Sequence, residues 1–215
     1  MNNTNRCYLV WFSAAVVIAA MACSRLKPET EPPNRPAAST QAKIDPTTKP
    51  TVAQQTMQIT ESGIGPIKLG MSLGEARKAF PTARFERGSD GEGAALVDVF
   101  LGNDPMMSLG ADEDDSGGPV DWSKQIKSIE CFSPLCVAPK GAHPGSLVVD
   151  VEKIYGKTKN IVQSEIESRQ YIEFQSQPAR ITFRLDYTGI FAARSRQTKQ
   201  FNPKGKIYSA VVSSY

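Results

Sequence analysis

Six prolines (Pro28, Pro32, Pro33, Pro36, Pro46 and Pro50) punctuate the stretch from Ser24 to about Gln58, with no helical or alternating apolar pattern between them. Proline fixes φ and lacks the backbone donor, so a segment this dense in it supports neither a helix interior nor a central strand. The remainder is Thr, Ala, Lys and Glu, too little apolar surface to offset the entropy of ordering. The stretch is expected to be an extended, disordered tether, reaching on the order of 100 Å at ~3.1 Å per residue. Any packed fold has to be built from residues 57–215. Charge divides at the same boundary. Residues 1–56 hold six Lys or Arg and three Asp or Glu, whereas residues 57–215 hold nineteen of each. The body is neutral, which excludes the basic domain a nucleic-acid binder uses to neutralise phosphates. With 40% apolar and 22% charged residues overall, the chain is neither an acidic disordered protein nor a multi-span membrane protein.

Ahead of the tether, Arg6 and the terminal amine precede an apolar run from Tyr8 to Ala22 broken only by Ser13. Fifteen helical residues span ~23 Å, short of the ~30 Å hydrocarbon core, so the run is expected to be a signal peptide over residues 1–22. Its ending, Ala20-Met21-Ala22-Cys23, resembles a bacterial lipobox. That resemblance implies removal of the leader and acylation of Cys23, with Ser24 directing the protein to the outer membrane, facing the periplasm. The same residues also satisfy a small-x-small site for ordinary cleavage after Ala22. Residues 23–56 then form the lipidated cysteine and linker. Several acyl chains, each gaining ~0.8 kcal/mol per buried methylene, give stable attachment.

The body opens with glycines at Gly63, Gly65 and Gly70 and with Pro66, suiting a twisted strand that leads into a turn. Ser72 and Glu75 have the spacing of a capping box, and Leu73, Ala76 and Phe80 share a helix face that ends at Pro81. Strand-like runs follow at about 82–87, 94–101, 105–111 and 125–132. The order then repeats. Gly145-Ser146 is expected to begin a second helix with Leu147, Val151 and Ile154 on one face and Gly156 as its C-cap. Runs at about 160–166, 170–175, 180–187 and 207–213 come after it. In the third, Ile181, Phe183 and Leu185 alternate with Thr182, Arg184 and Asp186, as in a strand with one buried face. The expected fold class is α+β: two tandem helix-plus-antiparallel-strand units, about 57–140 and 141–215, sharing one core beneath helices on one face.

Few residues carry chemistry. Cys131 and Cys136, separated by a Ser-Pro turn in an exported chain, are expected to form a disulfide; Cys7 lies in the leader. His143 is the only histidine, sits before Pro144, and has no free thiolate beside it. No nucleophile elbow, zinc-protease or phosphate-loop sequence occurs. Asp112, Asp114, Ser116 and Gly117 mimic the start of a calcium loop, but Ser123 stands where the bidentate acid belongs, so a solvated acidic loop is expected there, with no metal and no cofactor. Charge is segregated instead: residues 88–123 hold nine acids and no base, and residues 187–215 hold Arg194, Arg196, Lys199, Lys204 and Lys206 with no acid. Such segregation steers an oppositely charged partner, unless the two blocks neutralise one another. The stretch from Gly189 to Lys206 is too long for a tight hairpin, and Phe191, Arg194, Arg196 and Phe201 give it a binding hot-spot composition.

On Glu61-Ser62-Gly63-Ile64-Gly65 and on Gly145, Asp150, Val151, Tyr155 and Gly156, the body resembles a family of small enterobacterial outer-membrane lipoproteins controlled by the envelope-stress sigma factor. The doubled helix-plus-sheet order also looks like the β-lactamase inhibitor fold. The first resemblance implies a lipid-anchored envelope protein and carries over no catalytic residue. The expected function is a non-enzymatic binding or structural module in the periplasm. It would contact the membrane through its lipid and an envelope protein or polymer through its body, with no nucleic acid. Two alternatives stand beside it: an inhibitor or immunity protein against an envelope hydrolase, and an envelope enzyme of unrecognised site.

Overall fold

A computed structural model describes residues 56–214, save 114, 115 and 166. The segments expected to be the signal peptide and the linker, with Cys23 between them, lie outside the described residues up to residue 55. Within them the chain forms β1 (Met57–Thr60), β2 (Gly63–Ile64), β3 (Ile67–Lys68), α1 (Leu73–Ala79), β4 (Arg84–Ser89), β5 (Ala95–Leu101), β6 (Asp104–Ala111), β7 (Ile126–Cys131) and β8 (Cys136–Val137). After a single 3-10 turn at Pro139–Gly141 come α2 (Val148–Tyr155), β9 (Thr158–Gln163), β10 (Gln170–Phe174), β11 (Ile181–Leu185), β12 (Gln197–Thr198) and β13 (Ile207–Ser213). The helices have only seven and eight residues, so the α+β expectation narrows to a mostly β fold with two short helices.

Two sheets carry it. The smaller has the order β3-β2-β1-β8; the larger has nine strands in the order β12-β9-β10-β11-β13-β7-β6-β5-β4. Antiparallel pairing dominates both, the exception being the parallel pair β1–β8. In the large sheet the four strands that follow α1 lie together on one side of the β13–β7 junction, and those that follow α2 lie on the other. The glycine-rich opening, expected as one strand and a turn, is folded into three very short strands. Gly63 allows this, because a Cβ there would collide with the β3 backbone at Ile67.

The first helix forms as its local signals dictate. Ser72 Oγ accepts from the Glu75 amide at 3.2 Å, and the Glu75 carboxylate accepts from the Ser72 amide at 2.8 Å. The second differs from expectation. Its helix starts at Val148, and Leu147 is the extended N-cap residue. Its buried face is Val148, Val151 and Tyr155, with Ile154 only partly covered. The physical reason is tertiary: residues 145–148 pair with the approach to β13. The Gly145 amide donates to Ile207 O, that of Ile207 to Ser146 O, and that of Val148 to Gly205 O. Gly156, at φ 82°, does end the helix.

Tyr155 anchors the core from α2. Its ring lies 5.9 Å from Phe183 and 6.4 Å from Phe174, its hydroxyl donates to the Pro139 carbonyl, and burial pushes its pKa up. Ile59, Ile64 and Ile67 of the small sheet, Leu73 and Ala76 of α1, and the inward residues of the large sheet complete one cluster. The helices and the small sheet thus cover one face of the large sheet. Its other face is open.

Candidate binding face

Alternation along the strands decides what the open face presents. In β5, Ala95, Val97 and Val99 point inward, so Leu96 and Asp98 point outward. Register then lines up outward residues across strands: Asp98 opposite Ser108, Ser108 opposite Glu130, Glu130 opposite Val211. Farther across, Arg184 lies opposite Tyr171, and Tyr171 opposite Val162. The result is a polar row running nearly the width of the sheet.

Its charges are organised by contact. Glu130 Oε1 accepts from Arg184 Nη1 at 3.1 Å and from Ser209 Oγ at 2.5 Å. The side chains of Arg184 and Glu130 are only 14% and 19% exposed. The Arg184 guanidinium stands 4.9 Å over the Tyr208 ring, which meets Phe132 edge-on at 5.7 Å. At the β5 side, Ser108 Oγ donates to Asp98 Oδ1 at 2.5 Å.

The sheet also closes on itself. The β4–β5 turn and the β9–β10 turn lie at opposite ends of the strands and near opposite edges, so they are diagonal corners. Yet the Gly91 amide donates to Glu167 Oε1 at 2.9 Å, and the other Glu167 oxygen pairs with Arg169. Burial pulls the Arg169 guanidinium down, but hydrogen bonds to Tyr171 and Glu167 more than restore it, so it stays charged. Glu167 and Ser168 both sit in the left-handed region, at φ 56° and 51°, a conformation that costs a non-glycine residue about 1 kcal/mol or more. The strain is held where one corner reaches for the other. Beneath this clasp lies a cavity of about 360 Å³, between Ser89 and Asp90 on one side and Arg169 and Tyr171 on the other.

The residues singled out in the sequence lie elsewhere. Cys131 and Cys136 are bonded to each other, with Cα atoms 6.5 Å apart, and join the end of β7 to the start of β8. A second hollow of about 430 Å³ opens between their loop and the β5–β6 turn, walled by Leu101, Pro105, Met106, Phe132 and Leu135. The His143 ring nitrogen Nδ1 lies 2.8 Å from the Pro144 carbonyl, so the ring is occupied within its own turn. In the acidic stretch, Glu113 pairs with Arg87 and accepts from the Asp121 amide at 2.5 Å, while Asp112 pairs with Lys127 at 3.3 Å. Asp114 lies outside the described residues. Among those described, no three His, Cys, Asp or Glu gather as a metal-binding group, and no ion pair joins the acidic stretch to the basic one.

The basic loop is ordered by pairing. The Ile190 amide donates to Gln200 O, that of Asn202 to Thr188 O, and β12 pairs with β9 at the sheet edge. Phe191 and Phe201, expected as contact area for a partner, are each half-buried and pack against the core with part of the ring still exposed. Arg194 is exposed, and Arg196 reaches Glu165 only at 3.8 Å. The exposed apolar side chains of this region are Tyr187, at 58%, and Ile190, at 52%. Tyr187 stands out in the sequence as one of the aromatics punctuating the basic loop, whereas sequence reasoning missed Ile190 and the whole Asp98–Arg184 row, whose only trace in the sequence is polar alternation within separate strands.

No protein-family model matches the chain, and no curated protein matches it. Among solved structures, it is similar to the crystal structure of the uncharacterized protein YfeY from Escherichia coli, with a TM-score of 0.51 at 13% sequence identity. The likeness covers 74% of this chain and 99% of that one, and at this identity it shows the fold alone.

Proposed function

We propose that the chain is a lipid-anchored protein of the bacterial envelope, akin to the small stress-controlled outer-membrane lipoproteins it resembles, and that it acts as a non-enzymatic binding module. Its body is read as a doubled helix-plus-four-strand unit held off the membrane by the tether. The observation that carries this reading is the open face of the large sheet, bridged by the Gly91–Glu167 contact over a pocket whose two guanidinium groups are each paired with a carboxylate. Such preorganisation favours recognition, because little ordering cost is left for the binding step. The two body cysteines are bonded to each other and His143 faces a carbonyl, so neither is set up as a nucleophile or a base.

The test has two parts, both on the full chain in its own envelope. Intact mass should show an acyl increment on Cys23, and Cys23→Ser should release the protein from membranes. A photo-crosslinking residue at Ser128, on the open face, should capture a partner that the same residue at Arg77, on α1, does not. A wholly soluble wild type with an unmodified Cys23, or equal capture from both positions, would overturn the reading.

A second reading, an inhibitor that inserts the 189–206 loop into an envelope hydrolase, is favoured by the exposure of Tyr187 and Ile190 beside Arg194 and Arg196. Charge steering then makes Arg194→Glu with Arg196→Glu slow association and flatten its salt dependence. The melting temperature should hold, since exposed charges contribute ~0–1 kcal/mol. Unchanged association by a folded double variant would discard the loop.

A further inference from the structure

The cavity under the clasp is, we propose, a site for a small organic cation: a primary amine on a short apolar or aromatic stem. This deepens the reading of the open face as the binding face and rests on it. Size comes first. About 360 Å³ falls within the range of small-molecule pockets and is too small for a folded partner to enter.

The sign of the ligand follows from which charges are already spent. Both guanidinium groups lining the cavity are committed, Arg184 to Glu130 and to the face of Tyr208, Arg169 to Glu167 and Tyr171. The positive charge of each is thereby already offset by a carboxylate of the protein. Of the carboxylates, Asp90 is used within its own turn, its Oδ1 accepting from the amides of Glu92 and Ala94 at 3.0 and 2.8 Å. Asp98 is different. One of its oxygens accepts from Ser108, and among the described residues no cation pairs with it. It is half-buried on β5, next to the edge strand β4, and lines the cavity. A carboxylate there gains most from a charge-assisted hydrogen bond to an ammonium group.

The carboxylate itself has been given room against the sheet. Gly88 lies beside Asp98 on the neighbouring strand, and a Cβ on it would run into Asp98 Oδ2. Gly110, on the same face of β6, would likewise meet Ser128 Oγ. Glycine weakens a strand, and here the two of them let the Asp98 carboxylate and the Ser128 hydroxyl lie close against the backbone, fixing where the carboxylate stands. The stem has apolar surface to lie on, in Leu96, Val211 and the Phe132–Tyr208 pair.

The experiment titrates the purified full chain with three probes of one shape: phenethylammonium, 3-phenylpropionate and 3-phenylpropanol. Binding is read by calorimetry and by shifts of tyrosine resonances. The ammonium probe should saturate and bind at least about tenfold more tightly than the other two. Asp98→Asn should cost it about tenfold or more, as expected for loss of a charged partner. Asp104→Asn, an exposed acid outside the cavity, should leave it unchanged, and Gly110→Val should block all three by filling the floor. Binding of the ammonium probe that survives Asp98→Asn, tighter binding of the propionate, or no binding of any probe to protein with the wild-type melting temperature would each overturn the proposal. The broader reading fails separately, on its own crosslinking result. Partner capture from Ser128 without amine binding would leave the binding face standing and remove only the ligand class.

Discussion

Glu152 shows how one side chain ties a helix to the strand that follows it. Its carboxylate accepts from the Thr158 amide at 2.8 Å and from Lys157 Nζ at 2.9 Å, with only 12% of the side chain exposed. Burial pushes this carboxyl up, but the Thr158 amide and Lys157 outweigh it and hold its pKa below the ordinary value. A depressed folded pKa means that the stabilisation is present above the unfolded value, about 4.3, and is lost as pH falls through the folded one. Glu152→Gln should therefore lower stability at neutral pH by on the order of 1 kcal/mol, and the difference from wild type should shrink toward pH 3. Urea melts across that range check it; a constant difference would refute the linkage. Ser72→Ala should cost about 1 kcal/mol at neutral pH, because it removes one half of the capping box. The two kinds of contact differ in how far the sequence discloses them. Ser72 and Glu75 are three residues apart, so the pair could be read directly. Glu130 and Arg184 are separated by 54 positions and meet only because β13 seats β7 and β11 in one register. No local pattern carries that information.

Among the elements, the disulfide has a larger role than its short loop suggests. Cys131 closes β7 of the large sheet and Cys136 opens β8 of the small one, so the bond staples the two sheets together. Beside it, the Met57 amide donates to Leu135 O at 2.8 Å and β1 runs parallel to β8. The sequence shows the pairing of the cysteines but not this consequence, since two-residue strands leave no alternation to read. The same brevity hid β12, whose partner β9 lies more than thirty residues earlier. Replacing both cysteines by Ala should cost about 2 kcal/mol on the loop-entropy model. The loss should be uneven. Amides of β1 and β8 should lose hydrogen-exchange protection first, while those of β7 and β13 keep theirs until global unfolding. Uniform loss across both sheets would show that the bond acts only through the unfolded chain.

At the scale of the whole molecule, the feature that needs a physical account is the meeting of diagonal corners. Neighbouring strands are rotated by roughly 20–25°, which over the eight steps of a nine-stranded sheet accumulates to about 160–200°. A sheet twisted this far lifts one pair of diagonal corners over one face and the other pair over the opposite face. The helices and the small sheet fill the second concavity; the first is left to the polar row and the clasp. Neither concavity could be read from the sequence, because twist adds up over strands that are each unexceptional alone. The clasp itself is slight: one hydrogen bond and one ion pair, built on a strained turn. It should therefore govern access more than stability. Glu167→Ala should change the unfolding free energy by no more than about 1–2 kcal/mol, since the backbone amide of Gly91 can turn to water. Exchange of the Gly91 amide should accelerate in this variant, while central amides of β7 and β13 stay protected to the same degree. If the cavity admits its ligand past this contact, the same substitution should raise the association and dissociation rates together, leaving affinity nearly constant, because gate and anchor are different residues. Faster release alone would place Glu167 among the groups that hold the ligand, and unchanged exchange at Gly91 would mean that the corners are kept together by the sheet's twist, with the clasp only marking where they touch.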